Sequence, residues 1–241
     1  MITKSKSDNH ENISTSYGVD PEEMLKAGCH FGHQSSTSHP KMKPFIFGSR
    51  NNVQIIDLEK TAEKLKEALS FIESLVKEKK TILLIGTKIQ FKKIVEEIAK
   101  ECGLPYVAER WLGGTFTNFE VIKKRVVYMK DLEKKKAEGD LEKYTKKERA
   151  KIEKEIKALE QRLGGIKDLE KLPEAIFVCD MKKDLAAIKE ARIKEVKVIG
   201  ISDTDIDPSL ADYPIPANDN AASSVKYILE KLKETVLKAK P

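Results

Sequence analysis

The sequence predicts an α/β fold, in which parallel strands alternate with helices that cover both faces of one sheet. The first observation behind this prediction is that short β-branched or aliphatic runs alternate with segments of helical periodicity. The second is one long interruption of that alternation, which predicts a helical element inserted into the α/β domain.

Five short apolar segments are the predicted strands. They are residues 53–56, 81–85, 106–108, 175–178 and 196–201. All five are rich in the β-branched and aliphatic residues that favour strands. With helical patterns between them, they are expected to form one five-stranded parallel sheet.

Amphipathic helices are predicted between these strands and near the carboxyl end. Apolar residues recur there at steps of three and four, which places them on one stripe of a helix. The stripes are Leu65, Leu69, Ile72 and Val76, then Phe91, Ile94, Val95 and Ile98, and finally Val225, Ile228, Leu229, Leu232 and Val236. The second of these helices is expected to end at Gly103, before Pro105.

The long interruption predicts a protruding antiparallel coiled-coil hairpin. More than sixty residues separate the third and fourth strands, where about a dozen would suffice for a crossover. Residues 119–136 and 145–163 have helical patterns, with a turn at 137–140 and a capping box that begins at Thr145. The predicted seam is narrow and consists of Ile122, Val126 and Met129 on one helix and Ile152, Ile156, Leu159 and Leu163 on the other.

The predicted organisation is therefore a flexible tail at residues 1–18, an α/β domain at 19–118 and 164–241, and the hairpin at 119–163. Charged residues make up 35% of the chain, and the formal net charge is +6. Residues 120–163 alone contain 15 Lys and Arg against 10 Asp and Glu. The basic excess is therefore concentrated in the hairpin, which is a feature of proteins with a polyanionic partner.

Several classes of protein are not favoured by the sequence. Cys29, Cys102 and Cys179 lack the regular spacing of a disulfide framework and fit a reducing compartment. No run approaches the roughly 18 apolar residues that a membrane helix needs. The amino-terminal segment is polar and contains Asp8 and Glu11, unlike a signal or transit peptide. We therefore expect a cytoplasmic protein without a membrane partner.

An enzyme on the same fold is the main alternative. Asp57, Lys88, Asp180 and Asp203 follow predicted strands, and ligands of open parallel sheets bind beyond those strand ends. Together they could hold magnesium and a phosphate group. The same residue types also cap the helices that follow strands, and neither G-x-x-x-x-G-K-[ST] nor G-x-G-x-x-G occurs. We therefore expect no catalysis and no small-molecule substrate.

A zinc site is a second alternative. Cys29, His30, His33 and His39 lie within eleven residues, and all are possible zinc ligands. Their spacing is not that of a known finger, and adjacent Cys29 and His30 would rarely bind one tetrahedral ion. We expect no metal or cofactor, with His30, His33 and His39 as the candidates should zinc bind.

Two segments are candidates for RNA contact. Residues 110–119 place the only tryptophan, Trp111, beside Arg110 and before a glycine pair. Trp111 either closes the core or contacts RNA, and Arg110, Thr115 and Asn118 are available to RNA. Residues 41–51 interleave basic and aromatic residues, which suits phosphate contact and base stacking. Their candidate contacts are Lys41, Lys43 and Arg50.

These segments also resemble the successive signatures of a known family. The resemblance covers residues 23–230, and the signatures occur in family order at 27–34, 41–51, 55–61, 110–119, 164–168 and 212–219. On these residues the chain resembles the bacterial-type ribosomal protein S2 family of the small subunit. The resemblance implies a flavodoxin-like three-layer α/β/α sandwich with a coiled-coil hairpin inserted after the third strand.

The resemblance also implies a function and partners. The chain is expected to bind 16S-type rRNA on the solvent side of the small subunit, in a cytoplasmic or organellar ribosome. Neighbouring ribosomal proteins, including the multi-OB-domain protein S1, are the expected protein partners. The predicted RNA contacts are Lys41, Lys43, Arg50, Lys88, Arg110, Trp111, Thr115, Asn118, Lys123, Lys124 and Arg125.

Overall fold

The computed structural model describes residues 17–139 and 143–240. They fall into two compact units: the first comprises residues up to Lys80 and from Ile199 onwards, and the second comprises Thr81–Val198. Most of the predicted tail at 1–18, and the end of the predicted turn at 137–140, lie outside the described residues.

Strands and α-helices alternate over much of the described chain, but three strands follow one another before residue 57 and the last two strands are also consecutive. The helices are α1 (Pro21–Ala27), α2 (Leu58–Lys77), α3 (Lys92–Cys102), α4 (Phe119–Ala137), α5 (Lys146–Leu163), α6 (Leu185–Ile193) and α7 (Ala222–Ala239). The strands are β1 (Phe31–Gln34), β2 (Ile46–Arg50), β3 (Val53–Ile56), β4 (Ile82–Ile85), β5 (Tyr106–Val107), β6 (Ala175–Val178), β7 (Lys197–Ser202) and β8 (Tyr213–Pro216). Short 3-10 helices occupy Ser35–Thr37, Pro40–Phe45, Gly164–Ile166 and Pro208–Leu210.

The central sheet is parallel and has five strands, in the order β5-β4-β6-β7-β8. Every residue of β4 and β6 is buried, as expected for strands covered on both faces. Helices flank this sheet, and the architecture is that of a flavodoxin-like three-layer sandwich. The predicted fold class is confirmed.

The prediction that residues 53–56 belong to the parallel sheet is wrong. They form β3 with the predicted bounds, but β3 lies in a separate antiparallel sheet of order β1-β3-β2. Burial alternates along β3, as it does in a strand with one covered face. The fifth parallel strand is β8, which was not predicted. Its Pro214 and Pro216 cannot donate backbone hydrogen bonds, and proline within a short run argues against a strand. Such a strand is tolerated at a sheet edge, where β8 lies.

The first unit is built on the predicted apolar stripes. α2 contacts both α7 and β8. Leu65, Leu69 and Ile72 of α2 are completely buried, and so are Val225, Ile228, Leu229, Leu232 and Val236 of α7. Phe71 stacks on Tyr213, with 4.4 Å between the ring centroids. Burial of each such aliphatic side chain contributes roughly 1.5–3 kcal/mol.

Helix ends in the second unit carry the expected caps. Gly103 ends α3 in the left-handed conformation, at φ 58°. Thr145 and Glu148 form the predicted capping box of α5, in which each side chain accepts a hydrogen bond from the other residue's backbone N–H. Local sequence therefore fixes both helix boundaries.

The helices α4 and α5 occupy the segments that predicted the hairpin, and they contact each other. Of the predicted seam, Ile122, Val126, Met129, Ile156 and Leu163 are buried, whereas Ile152 and Leu159 are partly exposed. The hydroxyl of Tyr128 donates to Glu155 Oε1 at 3.3 Å. Coiled-coil packing along the whole seam stays a prediction.

We predict that Gly165→Ala destabilises the chain, whereas Gly164→Ala does not. A Cβ atom at Gly165 would lie 2.2 Å from the carbonyl oxygen of Tyr106, so backbone must move. At Gly164 the nearest atom is Glu160 Cγ, at an ordinary 3.5 Å. We expect Gly165→Ala to lower the free energy of unfolding by about 1–3 kcal/mol. Urea denaturation of both variants measures the difference, and equal stability of the two would contradict the close approach.

Candidate nucleic-acid interface

The glycine-containing loop after β5 is fixed by one carboxylate, that of Glu190 on α6. Its Oε1 accepts from Gly114 N at 2.8 Å and from Trp111 Nε1 at 3.1 Å. Its Oε2 accepts from Phe116 N at 2.9 Å, and from Thr117 N and Oγ1 at 3.2 Å each. Five donors therefore converge on one side chain that is only 9% exposed. This arrangement sets the loop's backbone conformation.

The ionised form of Glu190 is the one that the loop favours. Burial raises the pKa of this carboxyl, but the backbone donors of Gly114 and Phe116, the Trp111 indole and Thr117 together outweigh burial. The pKa is therefore lowered below its ordinary value. Since charged acceptors form stronger hydrogen bonds than neutral ones, the negative charge strengthens the hold on the loop.

Two of the predicted RNA contacts in this loop are buried. Trp111 is 7% exposed and packs edge-on against Phe116, with 4.9 Å between ring centroids. Thr115 is 2% exposed, and its hydroxyl donates to the carbonyl of Leu112 at 2.6 Å. Arg110 and Asn118 are exposed. Trp111 and Thr115 therefore hold the loop, and Arg110 and Asn118 form its outer surface.

The first turns of α4 carry three exposed cations. Asn118 is the residue that precedes the helix, and Lys123, Lys124 and Arg125 follow within it. None of these three cations pairs with an acidic side chain in the part of the chain that the structure describes. Lys123 also lines an open groove together with Lys157, Arg162 and Lys167, although Glu133 and Glu160 line it as well.

The residues predicted at 41–51 differ in their availability. Lys41 Nζ donates to Asp207 Oδ2 at 2.7 Å and to Ser209 Oγ at 2.8 Å. Burial raises the pKa of Asp207, but Lys41 and Ser209 outweigh it and hold that pKa at about 2. Lys43 and Arg50 are exposed and form no ion pair with any described residue. They are the uncommitted cations of this segment.

Lys88 forms an ion pair within the second unit. Its ammonium lies 2.6 Å from Asp180 Oδ2, and its side chain is 16% exposed. It also lies 5.8 Å from the ring centroid of Phe91. Asp180 in turn accepts from Lys183 N at 2.8 Å. Lys88 therefore stabilises the end of β4, and contact with RNA would require this ion pair to open.

The strand-end aspartates of the first unit, which suggested an enzyme, hold backbone groups. Asp57 caps α2 by accepting from Glu59 N at 3.1 Å and Lys60 N at 3.5 Å. Asp203 is completely buried and accepts from Thr204 N at 2.6 Å. The capping interpretation therefore accounts for Asp57, whereas Asp203 is held by a backbone N–H and by His33 and caps no described helix.

The zinc candidates have separate environments. His30 packs on Phe31, His39 Nδ1 accepts from Lys41 N at 3.3 Å, and His33 Nδ1 lies 3.1 Å from Asp203 Oδ1. The hydrogen bond with Asp203 raises the pKa of His33, which favours the protonated form and disfavours metal binding. Within residues 17–139 and 143–240, no group of three or more His, Cys, Asp or Glu side chains could hold a metal ion.

An exposed basic surface supported by buried anchors is typical of a protein that binds folded nucleic acid. The family model described as Ribosomal protein S2 matches residues 24–239. The chain belongs to this family. It is therefore a small-subunit ribosomal protein, a structural and non-enzymatic component of the ribosome. Family membership excludes the magnesium-dependent enzyme.

No helix of this S2-family chain, among the residues described, is both long and apolar enough to cross a membrane.

Glu190 is the important residue that sequence reasoning missed. The available signal was its position between Ala187 and Ala191, which are buried on the same side of α6. An acidic residue on an apolar helix face indicates that buried hydrogen-bond donors surround its carboxylate, but the sequence does not identify those donors.

We predict that Glu190→Gln loosens the loop at residues 111–117. Glutamine keeps one acceptor oxygen, and its amide N–H groups would face donors. We expect a loss of about 1–3 kcal/mol in the free energy of unfolding at neutral pH. Because the folded-state pKa of Glu190 is lowered, its contribution is present above the unfolded pKa and is lost as pH falls through the folded pKa.

Urea denaturation from neutral pH down to below the folded-state pKa of Glu190 measures the loss of stability in Glu190→Gln and its dependence on pH. Glu97→Gln, at an exposed carboxylate of α3, is the matched control and should remain close to wild type. The advantage of wild type over Glu190→Gln should shrink as pH falls. A constant difference would show that the charge of Glu190 does not stabilise the loop.

Proposed function

We propose that this S2-family chain binds 16S-type rRNA through phosphate contacts made by exposed, unpaired cations. The observation that carries the proposal is that the lysines and arginines among the predicted contacts fall into two groups, paired and unpaired. Lys41 and Lys88 are paired within the chain. The others are exposed and form no ion pair with described residues: Lys43, Arg50, Arg110, Lys123, Lys124 and Arg125.

The unpaired state matters energetically. A Lys or Arg already held by a carboxylate must lose that partner before it neutralises a phosphate, whereas an unpaired cation displaces condensed counterions directly. In helical RNA the deep, narrow major groove hides base edges from side chains. Contacts to folded rRNA are therefore expected mainly at phosphates and at the 2′-hydroxyl groups.

Buried residues support this surface without touching RNA. Glu190 fixes the loop that contains Trp111 and Thr115, and that loop leads directly into α4. Arg110, Asn118 and the cations of α4 therefore have a fixed base. Rigid presentation lowers the entropy lost on binding. We assign Trp111 and Thr115 to positioning, and Arg110 and Asn118 to the interface.

We also propose that α4 and α5 form the coiled-coil hairpin at 119–163, inserted into an α/β domain at 19–118 and 164–241. The outer residues of both helices are mostly charged, and the buried seam is narrow. A helix pair with this composition is suited to reach along a polyanionic surface. The ribosome in which it would do so is cytoplasmic in this proposal.

We predict that reversing the charges of Lys123, Lys124 and Arg125 to Glu weakens rRNA binding and incorporation into the small subunit. The matched control reverses Lys189, Arg192 and Lys194, which are also two lysines and one arginine exposed in the second unit. Both variants change the net charge equally, so a difference in rRNA binding between them shows that the position of the cations on the chain matters. We expect roughly ten-fold or greater weakening for the α4 variant at moderate salt.

Filter binding to a 16S rRNA fragment across a salt series, with sucrose-gradient sedimentation, measures this effect. The slope of log affinity against log salt should become shallower by up to about two to three for the α4 variant. Thermal melting checks that both variants fold. Equal binding of the two variants would remove α4 from the interface.

The protein partner in this proposal is the multi-OB-domain ribosomal protein S1. The family resemblance supports it, and neighbouring small-subunit proteins are expected as further partners. We predict that small subunits assembled without the S2-family chain retain substoichiometric S1, and that adding the purified chain restores it. Quantitative mass spectrometry of gradient-purified subunits measures the ratio. Full S1 occupancy without the chain would exclude this partnership.

A further inference from the structure

One face of the three-stranded antiparallel sheet in the first unit is open to solvent. Directly opposed residues of antiparallel strands lie on the same face. Along β3, Gln54 and Ile56 are buried, whereas Val53 and Ile55 are partly exposed. The open sheet face consists of two rows across the strands, Phe31–Ile55–Gly48 and Gln34–Val53–Arg50, and the exposed Phe47 lies at the β2 bulge next to the first row.

Two aromatic rings are available at this face. Phe31 is 50% exposed, and its ring is held against His30, with 3.9 Å between centroids. Phe47 is 81% exposed and lies where the register shifts between Ile46 and Gly48. A Cβ at Gly48 would meet no atom within 4 Å, so the space beside Phe47 is open. Together with the partly exposed Val53 and Ile55, the two rings make an apolar patch, which is typical of a binding surface.

The charge of this segment identifies the chemistry of the partner. Acidic residues make up 39 of the 241 residues, about one in six, yet residues 24–56 contain none. The same segment contains Lys26, Lys41, Lys43 and Arg50. Of these, Lys43 and Arg50 are exposed and pair with no described carboxylate. Acids from elsewhere in the first unit pair with Lys41 and His33, but no described acid pairs with Lys43 or Arg50. A strand segment that supplies no acids and two unpaired cations favours a polyanion over a protein surface of mixed charge.

We propose that the open sheet face binds unpaired RNA, with bases stacked on Phe31 and Phe47 and phosphates held by Lys43 and Arg50. A duplex does not fit this chemistry, because paired bases remain inside their own stack. The exposed amide of Gln34 lies in the same row as Arg50 and offers a donor and an acceptor to a base edge. This inference rests on the proposed rRNA-binding function and specifies single-stranded nucleotides at one part of the interface.

The test uses the full chain and an unstructured RNA of about ten nucleotides that contains 2-aminopurine, a base whose fluorescence falls on stacking. We expect wild type to quench this fluorescence. Phe47→Leu and Phe31→Leu keep apolar volume but remove the aromatic ring. Each should weaken binding by roughly ten-fold and reduce the quenching, while Phe47→Tyr should bind like wild type.

The matched control is Ile89→Ala, which removes an 82% exposed apolar side chain from the second unit and should have no effect on binding. Equal affinity and quenching for wild type and both Leu variants would overturn the stacking proposal. Binding of wild type to a duplex but not to the single strand would also overturn it, while leaving the proposed rRNA function intact. Failure to bind the rRNA fragment or sediment with small subunits would instead reject the proposed function itself.

Discussion

The buried carboxylate of Glu190 is the constraint on which the α4 surface depends. If this side chain were apolar, the donors of the buried Trp111 and Phe116 and of the partly buried Gly114 would lose their acceptor, whereas the exposed Thr117 could turn to water. Each buried donor without a partner costs about 1–3 kcal/mol, so the loop and α6 stabilise each other. The entry to α4 is thereby fixed before any partner binds. Binding then requires little ordering of that loop.

The two kinds of cation on this chain follow from the same electrostatics. Lys88 and Lys41 lie beside aspartates that accept other hydrogen bonds, and they stabilise the ends of strands and turns. Arg110 and the cations at the start of α4 form no ion pair with any described carboxylate. A count of basic residues does not distinguish these groups, because it ignores the partners that tertiary structure supplies.

The sequence predicted features whose cause is local. The apolar stripes of α2 and α7, the end of α3 at Gly103 and the capping box at Thr145 all depend on residues a few positions apart. Contacts between residues far apart in the chain could not be predicted in the same way. Residues 53–56 were correctly a strand but in the other sheet, because a short apolar run does not specify its neighbour. The bonds from Glu190 to the loop at 111–117 cross more than seventy positions, and no local pattern encodes them.

The edges of the parallel sheet bear on how the free chain behaves before assembly. Pro214 and Pro216 remove two N–H donors from one edge strand. At the other edge, β5 has only two residues, and Gly165 lies against the carbonyl of Tyr106. Neither edge therefore offers a long row of donors and acceptors on which a second copy could polymerise. The parallel sheet is thus protected from edge-to-edge pairing between copies of the chain before assembly.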